Sequence, residues 1–353
     1  MKFNRKIISW YYEHKVDFPW RLTSDPYKIW LSEIMLQQTQ VKTVIPYYEK
    51  WIKKFPSLYD VAKASDEDLF KYWEGLGYYN RVNNFREACK AVIKIYNGKI
   101  PDDKNDLMQL KGIGDYTSSA IASIAFNKVN YVIDGNVKRV MARILCLDDY
   151  SKSAMQKLNH FLSKNISLSK PGDFNQALMD LGRNICKPKI PLCSQCPIDF
   201  SCRAKISKSI KKYPKVKSKN KKNPHYNVGV GVIWKNGEIL ITKRKKNTLL
   251  GGLWEFPGGK QKSNENIKEC IEREIYEELS INVKVLNYIT TVEHKYSHFS
   301  ITLHAYHCTF EKGKIKCNTA EKWKLIKPDQ IMTLPFPKAN HYIFPHILDK
   351  GLA

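Results

Sequence analysis

Apolar positions recur with a helical period through the first half of the chain and alternate with a period of two through its last third. Asp25-Pro26 opens a helix, since Asp caps well and Pro is tolerated in a first turn. Within Tyr27–Leu36 the apolar residues are Ile29, Trp30, Ile34 and Leu36. Val41–Phe55 and Leu58–Trp73 each read as one amphipathic helix. Gly75-Leu76-Gly77-Tyr78-Tyr79 is a glycine-bracketed turn, followed by Arg81, Asn83 and Arg86 on a further helix. Gly112-Ile113-Gly114 is a second such turn. It leads into a compact small-residue helix, Ser119–Phe126, and then through Val132-Ile133 to Asp134-Gly135-Asn136. Phe174–Asp180 begins another helix. From Tyr226 the pattern becomes that of strands: Val228–Trp234, an Asn236-Gly237 hairpin turn, Glu238–Arg244, then an amphipathic helix, Val283–His294 and Phe299–Cys308.

Composition sharpens this picture. A chain of 353 residues can hold two domains with cores of their own. No signal peptide and no apolar run of about 20 residues is present, so the expectation is a soluble, intracellular protein with no membrane partner; a monomer is expected as well. Lys and Arg number 59 against 34 Asp and Glu, a net charge of +25 that suits a polyanion such as DNA or RNA. Ten of those basic residues, and no acidic one, fall in Arg203–Pro224, a stretch too polar to fold alone. Of nine cysteines, Cys186, Cys193, Cys196 and Cys202 share a 17-residue window. That clustering reads as a metal site rather than a disulfide framework, and four thiolates suit tetrahedral zinc as well as an iron–sulfur cluster.

Three groups carry candidate chemistry. Glu33 lies among apolar neighbours with no basic residue four positions away on either side. Burial would raise its pKa, the condition for a general acid near neutral pH. Gly112 and Gly114 let the backbone turn tightly and present amide N–H groups to an anion, with the Asp134 carboxylate close by in sequence. In the last third, Glu274, Glu277 and Glu278 recur at i, i+3 and i+4, a spacing that gathers carboxylates on one helix face.

The stretches LKGIGDYT…VIDGNVKRV and YKIWLSEIMLQQTQVKTVIPYYEKW resemble the helix-hairpin-helix DNA glycosylase superfamily, specifically its adenine-removing branch, the MutY-type adenine DNA glycosylases. The resemblance implies that Glu33 protonates the departing adenine and that Asp134 stays anionic beside the developing oxocarbenium. It also implies that Asn136 positions water or the base, and that Tyr116 packs beside the sugar. Trp20 matches the wall of the adenine pocket, Gln38 and Tyr78 match side chains that wedge into the base stack, and Gln176 matches a contact to the flipped base. Gly112 and Gly114 match the grip on the DNA backbone. Bifunctional relatives such as endonuclease III carry a lysine nucleophile where this chain has Tyr116, so simple hydrolysis without a strong lyase step is implied. The cysteine spacing x6, x2, x5 matches the family's 4Fe–4S loop, with a structural role.

The last third resembles a Nudix domain, with Ser280 standing at the helix end where the Nudix box has Gly. MutY-type enzymes use such a domain to recognise 8-oxoguanine opposite the adenine. The loop that does so matches His294–Phe299, with Tyr296, Ser297 and His298 as lesion readers. The alternative is a bifunctional protein whose Nudix domain also hydrolyses oxidised nucleoside triphosphates, in which case Glu274, Glu277 and Glu278 would hold Mg²⁺. Leu334-Pro335-Phe336-Pro337 matches the family's closing motif, so the resemblance runs from about residue 5 to 340. The expectation is therefore a multidomain base-excision-repair enzyme, cytoplasmic or nucleoid-associated, acting on double-stranded DNA with adenine opposite 8-oxoguanine or guanine. It has an all-α helix-hairpin-helix glycosylase domain with an iron–sulfur loop at 1–204, a basic linker at 205–225 and an α+β Nudix-like domain at 226–353.

Overall fold

A computed structural model describes residues 3–215, 223–296 and 298–348. The helices in chain order are α1 (Phe3–His14), α2 (Pro26–Leu36), α3 (Val41–Lys54), α4 (Leu58–Lys63), α5 (Asp66–Trp73), α6 (Asn80–Ile95), α7 (Lys104–Gln109), α8 (Asp115–Phe126), α9 (Gly135–Leu145), α10 (Lys152–Asn165), α11 (Pro171–Asn184) and the short α12 (Arg203–Ile206). The chain forms two compact units. One holds Met1–Lys63 and Asn83–Lys219; the other holds Ala64–Val82 together with Asn220–Ala353. No described helix is long and apolar enough to cross a membrane.

The first unit is all helical. Asp25 caps α2 by accepting the Tyr27 N–H at 2.9 Å, with Pro26 at the first helical position as its sequence suggests. α2 is buried from Ile29 to Met35, which leaves Glu33 only 6 % exposed and in the interior rather than on a polar face. The central core joins Ile7 and Trp10 of α1 to Val140 and Ile144 of α9 and to Phe174 and Leu178 of α11.

Two sequence expectations change here. Leu58–Trp73 is two helices, because Ser65 accepts the Asp68 N–H and starts α5 afresh. Residues 205–215 also do not form a free tether. Ala204 is fully buried, the Tyr213 carbonyl accepts from Arg143, and the Lys215 N–H donates to the Asp148 carbonyl. A polar segment that cannot fold alone is folded against α9 and the turn that follows it. Of the remaining part of the expected linker, 216–225, residues 216–222 lie outside the described residues.

The second unit is built on a seven-stranded sheet: β1 (His225–Lys235), β2 (Glu238–Lys243), β3 (Trp254–Glu255), β4 (Gly258–Lys260), β5 (Asn282–Lys295), β6 (Ser300–Lys312) and β7 (Lys322–Ile326). The order is β3-β2-β1-β6-β5, with β4 also on β1 and β7 on β2. β1 and β6 run parallel and the other pairs antiparallel. Asn236 and Gly237, both in the left-handed region, close the β1–β2 hairpin at the expected place.

Alternation along β1 explains the layers. Val230 and Val232 face a core with Phe256, Phe336 and Phe344, whereas Ile233 faces α13 (Ile267–Leu279). Gly229 and Gly231 lie on the α13 side, where a Cβ would meet Ile271 and Ile275 at 2.7 Å, so only glycine admits the helix this close. The short helices α14 (Lys338–His341) and α15 (Phe344–Leu348) close the opposite face. Ser280 is the α13 C-cap in a left-handed conformation, φ +56°. Ser280→Gly should therefore raise stability by about 0.5–1 kcal/mol, read as a higher urea midpoint with an unchanged m-value.

Candidate active site

α2, α8, α9 and α11 surround one cavity in the helical unit, and six of the sequence-derived residues line it: Trp20, Glu33, Tyr116, Asp134, Asn136 and Gln176. Glu33 enters from the middle of α2. Burial raises its pKa to about 7; the neighbouring Asp134 charge adds to that rise, and the Tyr116 hydrogen bond and Arg21 oppose it. The Tyr116 hydroxyl donates to Glu33 Oε2 at 2.8 Å. The proton of the neutral acid then belongs on Oε1. Burial, together with Glu33 and Asp134, holds the Tyr116 phenol well above its ordinary range, so it remains a donor.

Asp134 occupies the N-cap of α9. Its Oδ1 accepts the Val137 N–H at 2.6 Å and its Oδ2 accepts from Asn136 Nδ2 at 2.9 Å. The positive end of the helix dipole favours an anion there. One carboxyl is thus kept as an acid by burial, while the other is solvated by helix-terminal donors. The pair can deliver a proton to a leaving group on one side and negative charge on the other.

Three groups near the cavity carried no isolated signal. Arg21 binds both oxygens of Asp180 at 2.7 and 2.9 Å across 159 residues of sequence, and Arg183 adds a third contact at 2.9 Å. Phe18 stacks on Trp20 with centroids 5.3 Å apart, beneath both guanidiniums. Arg139 donates to Asn136 Oδ1 at 2.9 Å, to the Gly182 carbonyl at 2.7 Å and to the Cys186 carbonyl at 2.9 Å. Asn136, Arg139 and Arg143 are spaced i, i+3 and i+7, so one face of α9 reaches from the cavity to the cysteine loop. That period was the available clue.

Cys186, Cys193, Cys196 and Cys202 line a separate pocket with Arg143 and Lys205. Arg143, 5 % exposed, donates to Cys186 Sγ at 3.2 Å and to the Lys187 and Pro188 carbonyls at 2.8 Å each. Among the described residues no three His, Cys, Asp or Glu side chains gather closely enough for a single metal ion. Four thiols line this one pocket beside the Arg143 and Lys205 cations, a donor set that fits a thiolate-bound metal group.

Gln38 and Tyr78 do not line the cavity. Both are exposed, and both sit in the left-handed region, with φ +57° and +50°. Non-glycine residues rarely hold that conformation unless their surroundings impose it, and such outliers concentrate at functional positions. Gly112 needs its freedom, since φ is +84° and a Cβ would meet Asn84 at 2.8 Å. Gly114 begins α8 without a side-chain cap, and the space where its Cβ would stand is open.

In the sheet unit, Tyr296 stacks on Phe299 with centroids 4.7 Å apart and packs on the core, while His298 is exposed at the turn. Ser297 lies outside the described residues. Arg273 bridges Glu274 at 2.7 Å, Glu277 at 3.2 Å and Glu265 at 2.6 Å. Burial, with the Glu255 charge, raises the pKa of Glu278 to about 8.

Residues 31–164 match the HhH-GPD superfamily of base excision DNA repair proteins, and 229–346 match the NUDIX domain. A thermostable thymine-DNA glycosylase aligns with a TM-score of 0.53 and 29 % identity, over 58 % of this chain and 95 % of its own. The adenine DNA glycosylase of Homo sapiens is 33 % identical, covering 88 % of this chain and 67 % of that protein. The adenine DNA glycosylase of Buchnera aphidicola subsp. Acyrthosiphon pisum (strain APS) is 32 % identical over 95 % of each chain. The helical cavity thus belongs to a DNA glycosylase of the base-excision class. The chain is a member of the adenine DNA glycosylase family, base-excision-repair enzymes that act on adenine.

Proposed function

We propose that the protein hydrolyses the N-glycosidic bond of adenine mispaired with 8-oxoguanine or guanine in duplex DNA, as a monomer and without a strong lyase step. The observation that carries this reading is the pairing of Glu33, pushed up to about 7, with Asp134 at the N-cap of α9 in one cavity. Glu33 donates its proton to the leaving adenine, and Asp134 stabilises the positive charge that grows on the sugar. Asn136, hydrogen-bonded to Asp134, holds water or the base, and Tyr116 orients Glu33 where a Schiff-base lysine would otherwise stand. The aromatic wall of Trp20, with Gln176, receives the extruded base. Gln38 and Tyr78 enter the stack as wedges, and the first amides of α8 beyond Gly112 and Gly114 face a DNA phosphate.

Cys186, Cys193, Cys196 and Cys202 would hold a 4Fe–4S cluster, which supplies a rigid tie for the loop rather than redox chemistry. Cys196→Ser should abolish the cluster's visible absorption and weaken DNA binding; an unchanged spectrum would point away from a cluster. The sheet domain reads the lesion through His294–Phe299. In the alternative, a bifunctional protein that also hydrolyses oxidised nucleoside triphosphates, Glu274, Glu277 and Glu278 would hold Mg²⁺ with Arg273 bridging the first two.

Single-turnover excision from duplexes with adenine opposite 8-oxoguanine, guanine and thymine, with and without alkali, tests the proposal. Rapid base loss opposite 8-oxoguanine, with strand breaks only after alkali, is the expected result. Absence of base loss on all three duplexes would overturn it.

A further inference from the structure

Ala64–Val82 falls in the same compact unit as the sheet, although in sequence it interrupts the helical unit. It contains α5 and the loop that bears Tyr78, and its attachment to the sheet fold is specific. Glu74, the C-cap of α5, accepts the Phe336 backbone N–H at 2.7 Å on Oε1, and His341 Nε2 lies 2.7 Å from the same oxygen. Its Oε2 pairs with Lys71 Nζ at 3.0 Å, and Lys71 also donates to the Leu334 carbonyl at 3.2 Å. At the other end of α5, Glu67 accepts the Trp254 indole N–H at 3.1 Å, and Asp66 pairs with Lys246 at 2.7 Å.

The closing motif acquires a purpose from these bonds. Phe336 is fully buried between Pro335 and Pro337, neither of which has an N–H; the Leu334 N–H bonds the Ile331 carbonyl, so the Phe336 N–H is the motif's one other donor and must find an acceptor. Glu74 is that acceptor, and Gly75 follows it directly. Beyond it, the Trp73 indole donates to the Gly77 carbonyl at 3.1 Å, and Arg81 donates to the Leu76 and Gly77 carbonyls at 3.1 and 3.0 Å. Tyr78 holds its left-handed backbone between these two anchors.

We propose that Glu74 is a positioning residue for base extrusion. The Leu334–Pro337 motif and His341 fix the Tyr78 loop through its carboxylate. The sheet fold then governs extrusion through a segment of the helical half, separately from any contact that its own loop makes with the lesion. This rests on the adenine glycosylase reading.

The test uses the full chain with Glu74→Ala, Glu74→Gln and His341→Gln. Single-turnover excision is measured on an adenine:8-oxoguanine duplex with paired flanks, and on one whose flanking mismatches already unstack the adenine. A positioning role predicts that Glu74→Ala slows the paired duplex about tenfold and the unstacked duplex by no more than about twofold. Glu74→Gln, which keeps an acceptor for the Phe336 N–H, should lie nearer the wild type, and His341→Gln between the two. 2-Aminopurine placed beside the adenine should lose part of its fluorescence rise on binding in Glu74→Ala. Equal slowing on both duplexes, a fall in amplitude alone, or wild-type rates in all three variants would overturn the proposal. Failure of the wild type on both duplexes would instead overturn the glycosylase reading.

Discussion

Glu33→Gln should bind the 8-oxoguanine duplex like the wild type and excise adenine about 10²–10⁴-fold more slowly. The amide keeps the shape of the acid and can still accept from Tyr116, but it has no proton to give. The same carboxyl should set the alkaline limb of the pH–rate profile. With its pKa raised to about 7, the wild-type rate should fall about tenfold per pH unit well above that value, and the limb should vanish from the residual rate of the variant. Stability has a matching sign. A carboxyl raised from 4.5 to about 7 contributes fully below 4.5 and loses that contribution as pH rises through 7. Glu33→Gln should accordingly melt near the wild type at pH 4.5 and above it at pH 8, by up to ~3 kcal/mol. A variant that melts lower at both pH values would point to damaged packing rather than a missing proton.

Asp134→Asn should lose at least about 10²–10³-fold in excision while remaining folded, because removing charge from a preorganised site acts mainly on the transition state. Asn caps helices as well as Asp does, so Oδ1 can still receive the Val137 N–H and α9 should keep its N-terminus. Asp134→Ala would remove the cap as well, at about 1 kcal/mol of stability. The substitution should also reach Glu33. Asp134 contributes to the raised pKa of Glu33, so the residual rate of Asp134→Asn should turn over at lower pH than the wild type. Calorimetry and a pH series on the two variants would separate lost capping from lost charge.

Local chemistry was what the sequence displayed. The Gly112–Gly114 turn, Asp134 just beyond α8, the cysteine spacing and the Asn236-Gly237 hairpin are short patterns contained in contiguous stretches of chain. Glu33 showed as a carboxylate without a partner, and burial of α2 from Ile29 to Met35 supplied the depth that periodicity left open. Long-range pairing was hidden. Nothing near Arg21 announces Asp180, 159 residues away. The partners of Arg139 are largely backbone carbonyls, which have no sequence identity to read. Ser65 divided an apolar pattern that runs smoothly across it, because a single N-cap can start a new helix while the hydrophobic period continues.

The grouping of α5 with the sheet also bears on how the chain acquires its structure during synthesis. Lys71 and Glu74 leave the ribosome well before the Leu334 carbonyl and the Phe336 amide that hold α5 in place, which lie 263 and 262 residues further along the chain. At ~5–20 residues per second, the interval between them is on the order of tens of seconds. Through that time the Glu74 carboxylate has Lys71 beside it but not the Phe336 N–H. Such delayed closure gives the nascent chain a window of chaperone dependence. It also means that translation stopping short of Leu334 leaves a defect well inside the amino-terminal half.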